Sequence, residues 1–287
     1  MYDVIIIGAG PAGVSASLYT KRANLNTLII YHDKSGLEKA EQIENYYGFE
    51  NGITGKELYN EGIKQAKRLG TEVLDEEVIN IKMEEKGFTV ITNKNEYQTK
   101  TVIFATGNKK NTPKIKGIKE FEGKGISYCA VCDGFFYRNK NIAVIGSGNY
   151  AISETNELIN LAKEITILTD GKTAPEIRAD NVKIVPKKIR EVRGETRVEE
   201  VEFEDNTKLP VDGIFVANGI AGSSEFAKKL GILTNKENIV VNENMETNIP
   251  GIYACGDCAG GILQVSKAVY EGAKAGLEVI KYVRNKN

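Results

Sequence analysis

The segment Cys129-Ala130-Val131-Cys132-Asp133-Gly134 places two thiols two residues apart, with a carboxylate directly behind them. Cysteines at this spacing can make and break a disulfide between themselves, one acting as the thiolate nucleophile. Reducing a disulfide also needs a proton for the leaving thiolate. The chain has one histidine, His32, distant in sequence, so Asp133 becomes the candidate proton donor for a Cys129–Cys132 pair. The plainer alternative is two buried structural thiols. A second CxxC, Cys255-Gly256-Asp257-Cys258, reads as two small residues in a crowded Gly-rich turn; a second redox pair is the other reading. A four-cysteine zinc site finds no support, because the two pairs lie far beyond knuckle spacing and each sits inside another motif. No metal site is expected.

The next chemistry-bearing run is Gly8-Ala9-Gly10-Pro11-Ala12-Gly13. Its glycines suit a tight turn, close approach of a pyrophosphate, and tight packing of helix on strand, with the helix N-terminus facing the phosphate. The acidic residue that would take a ribose lies about 20 residues on, which points to Asp33. A second turn of this type is Gly146-Ser147-Gly148-Asn149-Tyr150-Ala151.

Elements must position these residues. Val4–Ile7 predicts a strand, Pro11–Ala23 a helix and Thr27–Tyr31 a strand, a βαβ unit. Ile142–Ile145, Tyr150–Ala162 and Ile165–Leu168 repeat the pattern. Val102–Ala105 predicts a strand ending in Thr106-Gly107, and the Lys-rich segment that follows, with Pro113 and several glycines, up to Gly125, reads as a linker. Gly251–Ala254 predicts a strand and Val265–Arg284 a long helix. The expected fold is α/β: two doubly wound, Rossmann-like domains. The first is discontinuous, over residues 1–112 and 243–287, and the second, residues 115–240, is inserted into it.

Composition bounds the function. The 287 residues, 41% hydrophobic, are enough for two packed domains rather than a disordered chain. A net charge of -1 argues against a general nucleic-acid binder. No apolar run reaches the roughly 18 residues of a membrane span. Without a basic n-region or cleavage site after Met1, the chain reads as cytoplasmic. Two basic stretches stand out: the six lysines Lys109, Lys110, Lys114, Lys116, Lys119 and Lys124, and Lys183, Lys187, Lys188, Arg190, Arg193 and Arg197. Either could be a docking face for an acidic protein.

Taken together, the Gly-rich loop, Ile43-Glu44-Asn45-Tyr46-Tyr47-Gly48, Ala105-Thr106-Gly107, Ser127 to Phe136 and Tyr253-Ala254-Cys255-Gly256-Asp257 resemble the low-molecular-weight thioredoxin reductase family, in its order and over nearly the whole length. The resemblance implies FAD in the first domain, contacted by Gly8, Gly10, Pro11, Ala12, Gly13 and the Ala105-Thr106-Gly107 stretch. It further implies Asn45 near the flavin, Gly256 and Asp257 at the ribityl chain, and Gln264 and Val265 by the flavin ring. It implies thioredoxin as partner, Cys132 as the flavin-proximal thiol, Cys129 as the interchange thiol, and a homodimer. One departure is Ser35-Gly36-Leu37-Glu38, where the family carries Gly-Gly-Gln-Leu.

The electron donor turns on the second Gly-rich turn. Family members that use NADPH follow the next strand with a His-Arg-Arg cluster that grips the 2′-phosphate. Here the strand is followed by Thr169-Asp170-Gly171-Lys172, with Arg178 the nearest arginine, so NADPH selectivity lacks a physical basis. Asp170 could instead bind the ribose of NADH. The stretch Phe215-Val216-Ala217-Asn218-Gly219-Ile220 also departs from the family pattern, and the combined changes resemble the ferredoxin-linked branch. Ferredoxin is therefore the expected donor, with NADH or NADPH as the alternative. A dithiol oxidase and a non-enzymatic redox sensor are the competing functions.

Overall fold

The structure, a computed structural model, describes residues 1–32, 35–107, 113–128, 130–174, 176–218, 223–235 and 238–285. The chain forms two compact units, Met1–Lys109 with Phe226–Asn287, and Lys110–Glu225. In chain order the first unit opens with β1 (Tyr2–Ile7), α1 (Pro11–Arg22), β2 (Thr27–Tyr31), α2 (Gly55–Arg68) and β3 (Glu72–Asp75). The hairpin β4 (Val78–Glu84) and β5 (Gly87–Thr92) and the long β6 (Glu96–Phe104) follow. The second unit runs through β7 (Ile126–Ser127), α3 (Ala130–Asp133), β8 (Asn141–Ile145), α4 (Asn149–Leu158), β9 (Glu164–Leu168) and β10 (Val182–Val185). It then adds β11 (Ile189–Arg193), β12 (Glu200–Phe203), β13 (Lys208–Pro210) and β14 (Gly213–Val216). After α5 (Ser223–Leu230) come β15 (Thr234–Asn235), β16 (Asn238–Ile239), β17 (Ile252–Ala254) and α6 (Val265–Asn285).

The two units repeat one arrangement, as the doubly wound pattern requires. The first sheet runs β3-β2-β1-β6, all parallel, with β6 shared at its far edge between β5 and β17. The second runs β10-β9-β8-β14-β7, also parallel. Strands covered on both faces read as unbroken apolar runs. Accordingly Val4 to Ile7 and Ile142 to Ile145 are buried throughout. In both sheets the chain reverses direction of winding beside the first strand, β1 or β8, and such switch points open a crevice at the strands' carboxyl ends.

Three expectations change. The Pro113–Gly125 segment is not a linker: Ile118 and Phe121 are buried in the second unit's apolar cluster beside Val192 and Val198. Lysines and glycines mimic linker composition, but Gly117 (φ 90) is there because a Cβ would overlap the Val192 carbonyl. The return to the first unit falls at Phe226 rather than after residue 240, because Phe226 is buried and its ring lies 6.2 Å from that of Phe104 in β6. Lys109 and Lys110 lie outside the described residues. The helix expected over Tyr150–Ala162 ends at Leu158, and the Asn181 amide takes the carbonyls of Ile159 and Ala162 at 2.9 and 3.2 Å.

A packed Phe121 has a measurable consequence. Phe121→Ala should destabilise the protein by about 3–5 kcal/mol in urea unfolding. A linker phenylalanine would change nothing.

Candidate functional site

In the first unit, several of the sequence-selected stretches meet at the carboxyl edge of β1, β6 and β17. Gly8 leaves β1 at φ 115, where a Cβ would overlap the Ala105 carbonyl, and Gly13 is required because a Cβ there would overlap the Gly8 carbonyl. These contacts bring Ala105 and Thr106 against the Gly-rich loop. Gly10 is the N-cap of α1, with Pro11 at its first position and no side chain capping the helix. Opposite Gly10 a Cβ would still stand 3.6 Å from Ser35 Oγ, so the departing Ser35 stretch lines the same opening. Uncapped helix amides facing an open glycine suit a pyrophosphate, and a dinucleotide such as FAD fits this edge.

The remaining first-unit candidates gather around that edge. The Cys255 amide donates to the Phe104 carbonyl at 2.9 Å, which sets the 3-10 turn Gly256–Ala259 beside the end of β6. Asp257 is half-buried in this turn, and Gly256 packs on α1, where a Cβ would stand 2.9 Å from that of Ala12. Asn45 donates from its side-chain amide to Gln264 Oε1 at 2.9 Å, joining two candidates 219 positions apart. Val265 follows as the first residue of α6. Gly107 (φ 72) turns the chain away after Thr106. Asp33 lies outside the described residues.

Cys255 and Cys258 are free and buried within the same turn. The Cys258 thiol donates to the Phe104 and Cys255 carbonyls at 3.4 and 3.3 Å. Burial pushes the Cys258 thiol up to about 11, partly opposed by hydrogen bonds from Thr106 and from the Cys255 backbone. Burial raises Cys255 as well, with Cys258 and Glu271 adding to it. Neither offers the thiolate that exchange chemistry needs, which favours the packing role for this pair.

In the second unit α3 carries Ala130 to Asp133 of the first CxxC segment. Cys129 lies outside the described residues, and of Cys132 only the backbone is described. The surrounding supports are clear. Ser127 Oγ donates to Asp133 Oδ2 at 2.6 Å, fixing the half-buried carboxyl at the end of α3. The Ala130 amide, between the two cysteines, donates to Glu154 Oε2 at 2.7 Å, and Glu154 is 1% exposed. One turn earlier on α4, the Tyr150 hydroxyl donates to the Tyr128 carbonyl at 3.1 Å. The motif is thus tied to α4 on both sides of Cys129. Downstream, Tyr137 is buried against Phe215, ring centroids 5.2 Å apart, while Phe135 and Phe136 are 68% and 69% exposed. Sequence reasoning passed over Glu154 and Tyr150. Their i,i+4 spacing was visible, but nothing local marks a helical glutamate as buried.

The second Gly-rich turn keeps its packing. A Cβ on Gly146 would overlap the Ala217 carbonyl and stand 2.8 Å from that of Ala151, and Gly148 caps α4 without a side-chain bond. The end of β9 is different. Asp170 (φ 52) accepts from the Ile189 amide through Oδ1 at 2.9 Å. Lys172 Nζ donates to Asn218 Oδ1 at 2.9 Å, and the Lys188 stem packs over Gly171, 3.1 Å from where a Cβ would be. Gly219 and Ile220 lie outside the described residues.

The second basic stretch proves to be locally neutralised. Lys183 pairs with Glu164 at 2.6 Å, Lys187 with Asp205 at 2.8 Å, and Arg190 and Arg193 with Glu202 at 2.8 Å each. Arg193 also meets Glu191, which Lys116 reaches at 2.6 Å from the first stretch. Hydrogen bonds from Lys116 and Arg193 hold the Glu191 carboxyl below its ordinary range. The expected positive face over residues 183–197 is therefore largely cancelled, because the pairing of β11 with β12 sets Glu191 opposite Glu202 and Arg193 opposite Glu200, and Arg190, Arg193 and Lys116 gather around these acids.

Residues 2–272 match the family described as pyridine nucleotide-disulphide oxidoreductase. The chain is 38% identical over 303 residues to the thioredoxin reductase of Bacillus subtilis (strain 168), with 99% of this chain and 95% of that protein covered. It is similar to the crystal structure of the atypical thioredoxin reductase from Desulfovibrio vulgaris Hildenborough, at 36% identity and TM-score 0.92, covering 100% of this chain and 99% of that one. It is also similar to a ferredoxin-flavin thioredoxin reductase from Clostridium acetobutylicum, at 32% identity and TM-score 0.71, covering 99% and 98%.

Two outcomes are expected from the site geometry. Glu154→Ala leaves the buried Ala130 amide without its acceptor, at a cost of about 1–3 kcal/mol. Hydrogen exchange at Ala130 should accelerate, and Glu154→Gln, which keeps an acceptor oxygen, should restore protection. Separately, iodoacetamide at pH 8 should leave Cys255 and Cys258 unmodified in the folded protein and label both after denaturation, as peptide mass mapping would show.

Proposed function

Since the chain belongs to the pyridine nucleotide-disulphide oxidoreductase family, and within it to the low-molecular-weight thioredoxin reductases, we propose that it reduces thioredoxin through a Cys129–Cys132 disulfide, with FAD as cofactor and ferredoxin as electron donor. The observation that carries the disulfide chemistry is the Asp133 carboxyl, held by Ser127 at the end of the CxxC helix. FAD, when bound, supplies the chemistry the side chains lack, accepting electrons singly or in pairs and passing two to the disulfide. Gly8, Gly10, Pro11, Ala12 and Gly13 would hold its pyrophosphate, with Ala105, Thr106 and Gly107 alongside. Gly256 and Asp257 would take the ribityl chain, Asn45, Gln264 and Val265 the ring, and Asp33 a ribose.

The exchange then follows from the chain's own residues. In the reduced dithiol, the Cys129 thiolate attacks one sulfur of the thioredoxin disulfide. That S–S bond breaks, a mixed disulfide forms, and the expelled thioredoxin thiolate takes a proton from Asp133. Asp133 recovers a proton from the Cys132 thiol. The Cys132 thiolate then attacks Cys129 Sγ, closing the Cys129–Cys132 disulfide and releasing the second thioredoxin thiolate. Two electrons leave the enzyme per cycle. Ser127 donates to Oδ2 and leaves the other carboxyl oxygen to carry the proton. Val131, Phe135 and Phe136 are exposed next to the motif and offer an apolar face to a protein partner.

For the donor, the fate of Asp170 is the main support. A carboxylate that would select NADH by its ribose hydroxyls is engaged by the Ile189 amide, and no arginine cluster follows β9 to favour NADPH. One relative is itself described as a ferredoxin-flavin enzyme. The retained packing of Gly146 and the uncapped start of α4 favour the second reading, a nicotinamide donor.

An anaerobic assay separates the two. Reduced ferredoxin should bleach the flavin absorbance rapidly, whereas NADPH and NADH should not. Fast bleaching by either nucleotide would sink the ferredoxin assignment. Cys132→Ser should abolish thioredoxin reduction while leaving flavin bleaching intact; thioredoxin turnover by this variant would remove the pair from the mechanism.

A further inference from the structure

The turn that carries Asp257 is conformationally loose by sequence. Gly256, Gly260 and Gly261 all stand at positive φ, between 76 and 79 degrees. Glycine gives these angles freely, and for the same reason holds none of them in place. The turn is nevertheless closed from outside by two residues of α6. Lys267 Nζ donates to the Gly256 carbonyl at 2.9 Å and to the Gly260 carbonyl, and pairs with Glu271 Oε2 at 3.0 Å. Glu271 Oε2 in turn accepts from the Gly256 amide at 2.8 Å. The ammonium's three donors are thereby all engaged, and both ends of the turn are gripped.

Burial gives this arrangement weight. The side chains of Lys267 and Glu271 are 12% and 15% exposed, and an ion pair so placed depends on the further hydrogen bonds it makes. The helix that supplies them is itself fixed to α1. A Cβ on Gly272 would overlap the Ala12 carbonyl, one on Gly276 would stand 2.7 Å from the Ala16 carbonyl, and Ser15 Oγ donates to the Val269 carbonyl at 2.7 Å. The start of α1 is the pyrophosphate end of the proposed FAD site, and the Gly256–Ala259 turn is its ribityl end.

We propose that Lys267 and Glu271 are positioning residues that lock the Asp257 turn to the α1 phosphate loop, so that both ends of the FAD site are preformed before the cofactor arrives. The inference rests on the FAD reading. Lys267 closes the glycine turn, Glu271 holds Lys267 and the Gly256 amide, and α6 carries both at a fixed distance from α1. A preformed loop lowers the ordering cost that binding would otherwise meet.

The test titrates FAD into apoprotein, following flavin fluorescence, with apoprotein melting and the visible spectrum of the bound flavin recorded alongside. Lys267→Met should weaken FAD binding about tenfold or more, the order expected when a loop must be ordered on binding. It should also blur the vibronic structure of the flavin band. Leaving Glu271 buried without its cation lowers the apoprotein melting temperature as well, so the affinity loss is read against melting across the variants. Lys267→Arg, which can reach both carbonyls, should restore affinity and spectrum. Glu271→Gln, which keeps an acceptor for the Gly256 amide but loses the charge, should fall between. Unchanged affinity in Lys267→Met overturns the proposal. So does an affinity loss that follows apoprotein melting across all three variants, since that marks a purely structural pair. If the unaltered protein takes up no FAD, the cofactor reading itself fails, a result distinct from either.

Discussion

Both units are organised by the same close approach, a glycine at the end of the first strand lying under the carbonyl that follows a neighbouring strand. Gly8 meets Ala105 in the first unit and Gly146 meets Ala217 in the second, with no room for a Cβ at either position. Because the strands can close only this far, the following helix starts directly over the sheet edge, with its first amides pointing out of it. The crevice, the uncapped helix and the position of every later loop follow from that spacing. In the first unit the turn from Gly256 reaches Ala12 at the start of α1, and α6 packs glycine against α1 backbone to keep it there.

The second unit satisfies the same packing rule but surrounds it differently. Its carboxyl edge is occupied by its own side chains: Asp170 bonded to the Ile189 amide, Lys172 to Asn218, and Lys188 over Gly171. Gly146 would be needed for helix–strand packing whether or not a nucleotide ever bound. A Gly-rich turn therefore reports a packing constraint first and a ligand only when the neighbouring strand ends leave it room. The same helix that follows this turn, α4, ties the CxxC through Tyr150 and Glu154. The scaffold of a dinucleotide fold thus anchors the backbone on either side of Cys129.

Charge behaves in a parallel way. A run of cations between Lys183 and Arg197 looks like a docking face along the sequence, yet β11 and β12 pair antiparallel and bring Glu191 and Glu202 under Arg190, Arg193 and Lys116. Lys114, Lys119 and Lys124 remain exposed on the same unit. Conversely, the Lys267–Glu271 pair looks like an ordinary solvent-facing i,i+4 pair in the sequence, but it is largely buried because the glycine turn folds over it.

Sequence by itself determined the two βαβ repeats, the strand runs of Val4–Ile7 and Ile142–Ile145, the insertion of one unit into another, and the CxxC with its trailing aspartate. These features are local: period, glycine placement and residue spacing decide them within a few turns of chain. Tertiary structure decided what each candidate touches. Asn45 finds Gln264 only because distant loops meet at one sheet edge. Lys-rich 113–125 packs rather than links because Ile118 and Phe121 find an apolar cluster across the unit. Glu154 and Lys267 became visible only once burial removed water from around them. Hydrogen-bond partners and burial depend on contacts remote in sequence, and no local pattern encodes them.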